Sequence, residues 1–353
     1  MLGISVYLYD RPNRSFIENM HRNGFNEVFT SLHIPEYSFT DTWENMQQLG
    51  MICSENGMEL TVDLSQKMVK ELPVSLEKLK TFGITGLRLD DGFTMQQASS
   101  LSLVYKVALN ASTLTATDLQ QLHENGAKLS QIEAWHNYYP RIYTGLDEDF
   151  FLAQNKMFQV ANIKVAAFVM GDEQLRAPMF EGLPTLEMHR NKAVLANTLE
   201  LLKDYAVNTV FIGDPIISEF AQRQFAHYFM HDTLLLPVIM AHEFNPLFER
   251  LYHNRPEIAR DVVRLVESRG LFADNNFSGE GEVRNSGDVT INMQALSRYA
   301  GEVQLVKRPL PRDPDVLTLG CIERNSIALL KHCKGLQNIQ LEEFADGFRK
   351  INN

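Results

Sequence analysis

A short apolar run, a polar tip and a helical stretch recur eight times over roughly the first 230 residues of this chain. The runs are GISVYLYD, NEVFTSLHIPE, MELTVDLS, ITGLRLDD, YKVALNAS, SQIEAWHNYYPR, IKVAAFVMGD and NTVFIGDPIIS. Between them lie amphipathic segments such as SFIENMHRNG, TWENMQQLGMICSENG and LQQLHENGAK, several of which stop at Asn-Gly or a lone Gly, as helices do. Eight alternating strand–helix units predict a closed parallel (β/α)8 barrel over residues 1–230, because a doubly wound sheet usually needs fewer. The texture then changes. LLLPVIMA, GEVRNSGDVTINMQ, RYAGEVQLVKRPL and DVLTLGCIE read as short strands with Gly and Pro turns, and HNRPEIARDVVRLVESRG reads as a helix. Residues 234–353 are therefore expected to form a smaller β-rich domain.

Composition narrows the function. A formal net charge of -11 argues against a general nucleic-acid or anionic-membrane surface, though a local arginine cluster can still bind a small anion. The three cysteines, Cys53, Cys321 and Cys333, are widely spaced and form no CxxC pair, so reduced thiols in a cytoplasmic protein are expected. No apolar run approaches membrane-span length, and the opening MLGISVYLYDR reads as a first strand, not a signal peptide. His33, His136 and His189 are scattered without an HxxxH pattern, so neither a metal nor a cofactor is expected. The sequence contains no phosphate-binding glycine loop and no GxSxG elbow.

In (β/α)8 barrels the site is assembled from strand tips at one mouth. Here the tips carry Tyr9 and Asp10, His33 and Glu36, Asp63, Asp90 and Asp91, Asn110, His136 and Asn137 with Arg141, Asp172, and Asp214. One such residue often only caps the next helix; eight polar tips together predict a functional mouth. In GLRLDDGF, strand alternation puts Arg88 and Asp90 on one face, where they pair with each other, pair across the barrel, or meet a ligand. Asp91 is a helper or a helix cap, and Gly92 permits a sharp turn. Trp135, Tyr138 and Tyr139 offer either a flat surface for a sugar or a packed aromatic corner. In EGLPTLEMHR, Glu187 is expected near a helix start, which reads equally as an anion site with Arg176, His189 and Arg190 close by or as a first-turn acid that favours the helix dipole.

FTSLHIPE (29–36), GLRLDDGF (86–93), WHNYYPRIYTGL (135–146), EGLPTLEMHR (181–190), FIGDPIIS (211–218) and RYAGEVQL (298–305) together resemble the MupG-type 6-phospho-N-acetylmuramidases. The resemblance implies a (β/α)8 TIM barrel followed by a cyclophilin-like β-barrel domain. It implies cleavage of the β-1,4 bond of MurNAc-6-phosphate-GlcNAc in the cytoplasm during peptidoglycan recycling. Joined to the tip residues, it makes Asp90 and Glu187 the expected catalytic pair across the mouth, with Asp91 as helper. Arg88, His33, Glu36, Asn110, His136, Asn137, Tyr139, Arg141, His189, Arg190 and Asp214 are the expected substrate ligands. A sugar phosphate is the expected partner, without nucleic acid or membrane, and a homodimer is left open. The competing readings are a sugar-phosphate binder without catalysis and a lyase or isomerase on the same barrel. The lyase would want a strand-tip lysine, which GISVYLYD lacks.

Overall fold

In the computed structural model, residues 1–32, 39–248, 250–272, 277 and 279–344 are described. The chain divides into two units, Met1–Gln222 and Arg223–Asn353. The first holds eight parallel strands: β1 (Leu2–Ser5), β2 (Glu27–Ser31), β3 (Glu59–Leu64), β4 (Gly86–Leu89), β5 (Lys106–Asn110), β6 (Ile132–Trp135), β7 (Lys164–Val169) and β8 (Thr209–Ile212). Each pairs with the next, and β1 pairs with β8, which closes the barrel. Helices α1 (Arg14–Arg22), α2 (Phe39–Asn56), α3 (Gln66–Val69), α4 (Met95–Ser102), α5 (Ala116–Glu124), α6 (Glu148–Val160), α7 (Val194–Asp204) and α8 (Glu219–His231) alternate with the strands. Local chemistry starts and stops them. Asn13, Thr94, Thr115 and Asp147 accept first-turn amides, and the chain leaves α1, α2 and α5 through Gly24, Gly57 and Gly126, all at positive φ.

Strand alternation sorts the barrel interior into layers. At the floor, the ammonium of Lys106 sits 3.0 Å from Glu27, bonds Glu59, and lies 3.9 Å from Glu133. Above it pack Phe29, Ala108, Trp135, Ala166, Phe168 and Phe211, with the Trp135 and Phe211 ring centres 4.6 Å apart. Two glycines on the strands make room for their neighbours, Gly3 for this layer and Gly86 for Thr61. A Cβ on Gly3 would stand 2.3 Å from the Phe211 ring, and one on Gly86 would stand 2.4 Å from Thr61 Oγ1. Trp135 is completely buried and donates its indole N–H to Glu133 at 2.8 Å. It is therefore part of the core under the mouth, and of the two readings the packed aromatic corner holds for this residue.

The second unit is a seven-stranded sheet in the order β10-β15-β9-β14-β12-β13-β11. Its strands are β9 (Thr233–Met240), β10 (Leu251–His253), β11 (Val262–Leu265), β12 (Asp288–Asn292), β13 (Val303–Val306), β14 (Val316–Ile322) and β15 (Asn338–Glu343). The helix expected over HNRPEIARDVVRLVESRG is absent as such: its middle is β11, antiparallel to β13, and only Ser268–Leu271 is helical. The reason is the pair of β-branched valines and an in–out alternation in which Val263 and Leu265 are buried. Glu302, fully buried, accepts both forks of Arg264 at 2.7 and 2.9 Å and also bonds Arg269.

The floor cluster has three carboxylates for one cation. Lys106 keeps its proton, whereas burial raises Glu27 from 4.5 to about 7, with Glu59 and Glu133 adding to the effect against Lys106. A carboxyl whose folded pKa lies above its unfolded one stabilises the fold below 4.5 and loses that contribution as pH rises through about 7. The gap is worth on the order of 3 kcal/mol. Denaturant titrations of wild type and Glu27→Gln across pH 4.5 to 8 should therefore show the variant gaining on wild type as pH rises. A constant difference would mean that Lys106 keeps Glu27 ionised throughout.

Candidate active site at the barrel mouth

Above the aromatic layer the inward positions turn polar. Asp63 of β3 lies opposite Arg88 of β4 in the strand register, and the guanidinium donates Nη1 to Asp63 Oδ1 at 2.6 Å. Nη2 donates to Asn137 Oδ1, just beyond β6. Asp90 approaches the same Nη1 at 3.9 Å, with its carboxylate half in solvent. Phe29, Asp63, Arg88, Asp90, Asn137, Tyr138 and Phe168 together line a mouth cavity of about 210 Å³. Burial raises the Asp63 carboxyl above its ordinary value, and the Arg88 charge draws it part of the way back. Thus the expected contact between Arg88 and Asp90 is present but long, and the stronger partner is Asp63 on the neighbouring strand, not a residue across the barrel.

A second cation stands beside this cavity. Arg176, in the long connection after β7, places its guanidinium 4.4 Å from the Tyr7 ring centre and donates Nη1 to Tyr138 Oη at 2.7 Å. Among the described residues its Nε and Nη2 have no acceptor. Its backbone is fixed by Asp214, which accepts the amides of Gly171 at 2.8 Å, Leu183 at 3.0 Å and Arg176 at 3.0 Å. Asp214 is fully buried; burial raises its carboxyl and the three amides oppose that rise. Both of its carboxylate oxygens are engaged with backbone amides, one of them that of Arg176.

Glu187 is differently employed from the expectation. Glu187–His189 is a single 3₁₀ turn, and α7 begins only at Val194, so no helix start presents this carboxylate. Its Oε1 accepts from Tyr143 N at 2.8 Å and Arg190 Nε at 2.7 Å. Its Oε2 accepts from Gly145 N at 2.8 Å and Arg190 Nη2 at 2.8 Å. Four donors saturate it, and the Arg190 hydrogen bonds, with the two amides, hold its pKa at about 2. Such a group has no proton to give near neutrality, and it is not among the residues lining the mouth cavity. Gly145 permits the contact, since a Cβ there would stand 2.7 Å from Glu187 N. Arg190 spends its remaining donors on the carbonyls of Glu181, Gly182, Tyr139 and Arg141. The pair fastens one mouth loop to the other.

The other expected ligands scatter. His136 is buried with its Nε2–H on Asn155 Oδ1 at 2.7 Å and its ring against Phe151; burial lowers its pKa to about 4, which keeps it neutral. His189 is buried and bonds Glu200 at 3.2 Å. These two imidazoles lie against helices α6 and α7, away from the mouth lining. Tyr139 is half-buried and Arg141 exposed. Asn110 accepts from Ser112 N at 3.0 Å and, with Asp90 and Asp91, lines a separate cavity of about 350 Å³. Thr94, not Asp91, caps α4, while Gly92 takes the sharp turn at φ 90°. His33 and Glu36 lie outside the described residues. Tyr138 lines the mouth cavity and Arg176 stands beside it, as the sugar-surface and anion readings allowed, though Arg176 is placed by Tyr7, Tyr138 and Asp214 and not by Glu187. Asp63 and Tyr7 were not among the expected ligands. Strand parity and the β3–β4 register were the available signal for Asp63.

Chemically, the mouth offers two carboxylates flanking one guanidinium, an amide, an apolar floor and a second cation with donors to spare. That set can bind an anionic, hydroxyl-rich ligand and exchange protons with it.

Residues 2–227 match the family described as 6-phospho-N-acetylmuramidase, N-terminal, and residues 233–342 match its C-terminal counterpart. A crystal structure of a conserved Enterococcus faecalis protein of unknown function is 36% identical, with TM-score 0.90 over 100% of both chains. An uncharacterized B. cereus protein is 25% identical, with TM-score 0.71 over 97% of this chain and 99% of that one. No curated protein matches the chain.

The Glu187 staple has an acid-pH signature. Its depressed pKa adds stability above 4.5 that is lost as pH falls toward about 2. Glu187→Gln should lower the melting temperature at pH 7 and converge with wild type near pH 2. A gap that persists unchanged at pH 2 would show that the loss is steric, not ionic.

Proposed function

The chain belongs to the 6-phospho-N-acetylmuramidase family, and on that footing we propose that the barrel mouth hydrolyses the β-1,4 bond of MurNAc-6-phosphate-GlcNAc. The observation that carries the reading is the Asp63–Arg88–Asp90 constellation within one cavity, with Arg176 alongside. In hydrolysis the bond between the anomeric carbon and the bridging oxygen breaks, and its electron pair goes to that oxygen. Asp90, at the solvent side of the cavity, is the proton donor to it. Asp63, deeper and held by Arg88, is the carboxylate that opposes the positive charge developing on the ring. Water supplies hydroxide to the anomeric carbon, and its remaining proton returns to a carboxylate. Arg88 and Arg176 meet the phosphate and lactyl carboxylate; Asn137 and Tyr138 orient the ring.

This assignment keeps Asp90 and replaces Glu187 by Asp63 as its partner, because Glu187 is saturated and Asp63 lines the same cavity. The reaction suits peptidoglycan recycling in the cytoplasm, and the second unit is read as a cyclophilin-like domain.

Purified protein should convert the disaccharide phosphate to MurNAc-6-phosphate and GlcNAc, followed by mass spectrometry. Asp90→Asn should reduce turnover by ~10²–10⁴-fold with the fold intact, and Asp63→Asn should do the same while also lowering the melting temperature, because Arg88 loses its partner charge. Glu187→Gln should retain the wild-type pH–rate profile. Tight binding of the disaccharide without products would instead favour a sugar-phosphate binder, and wild-type turnover in both aspartate variants would remove this catalytic pair.

A further inference from the structure

Beside the mouth lies the larger cavity, about 350 Å³, between the connections that follow β4 and β5. Asp90 lines both cavities and so forms the wall between them. Their chemistry differs. The mouth carries Arg88 and adjoins Arg176, whereas the side cavity presents Asp90, Asp91, Asp118, Asn110 and Thr113 and has no cationic side chain among its lining. Phe93, Met95, Leu109 and Leu114 give it an apolar side. Carboxylates repel a phosphate or a lactyl group but accept hydrogen bonds from hydroxyls, and an apolar wall suits the C–H face or acetamido methyl of a sugar.

We propose that this side cavity is the leaving-group subsite, built for an uncharged sugar, and that charge alone sorts the two halves of the substrate. The inference rests on the proposed hydrolase reading and deepens it. The anionic sugar goes to the arginine side, the neutral one to the acidic side, and the bridging oxygen between them falls at Asp90. The cavity thereby fixes which bond of a longer glycan is presented, and it excludes substrates phosphorylated on the leaving sugar.

Thr113 is exposed in the loop after β5 and lines the cavity, so Thr113→Trp should fill it without disturbing the barrel core. Two substrates are compared: the disaccharide phosphate and the β-fluoride of 6-phospho-N-acetylmuramic acid, whose leaving group is a single atom. The variant should lose at least tenfold in kcat/KM on the disaccharide while its β-fluoride rate, which also reports an intact fold, stays within about twofold of wild type. Equal losses on both substrates, or no loss on either, would overturn the subsite. Saturation-transfer NMR with N-acetylglucosamine alone reads the cavity independently of turnover. A signal with wild type that vanishes in Thr113→Trp supports the subsite even if the hydrolase reading fails; no signal with wild type counts against it.

Discussion

A guanidinium at the end of a barrel strand, buried above an aromatic layer, must be neutralised before anything else in the mouth can be arranged. Arg88 is in that position. Its partner Asp63 is supplied by strand register, not by a loop, so the charge pair is as rigid as the sheet. Burying either charge alone would cost several kcal/mol, which makes the pair one unit energetically. Asn137 takes the other fork, and Asp90 is left near the same cation with its carboxylate reaching solvent. The mouth therefore has one carboxylate committed inward and one available outward.

The barrel beneath explains why that geometry can be kept. Gly3 surrenders side-chain volume to Phe211 and Gly86 to Thr61, and the Lys106 cluster closes the floor. Close packing leaves little room for the upper layer to relax into. The loops are secured separately. Glu187 and Arg190 bind the connections after β6 and β7 to each other, through amides more than forty residues apart in sequence. The acids of this mouth thus divide their labour: some hold backbone, others face the cavity.

The eight strands were legible because apolar runs and polar tips repeat with little interruption. Parity alone also aimed Arg88 inward. For Trp135 the aromatic-rich tip left two readings open, and its inward place on β6 below the mouth decides for the core. Arg176 was expected beside Glu187 as an anion ligand, but its actual place, against Tyr7 and Tyr138, depends on a carboxylate 38 residues later in the chain. Glu187 was misread because its saturation depends on the close approach of Gly145 and on an arginine three positions on, neither of which a tip pattern encodes. β11 was misread because a Pro–Glu start suggested a helix while Val262 and Val263 fitted a pleated sheet.

Asp214 gathers three amides, from the end of β7, from Arg176 and from Leu183, onto one carboxylate supplied by the end of β8. The long connection after β7 is thus tied to its neighbour's strand instead of to itself. Loop transplantation among barrels usually treats each connection as an exchangeable module. Here the module boundary is wrong: the connection after β7 carries the arginine, but the acceptor that shapes it belongs to the following strand. Any exchange that keeps the cation's placement must move both together.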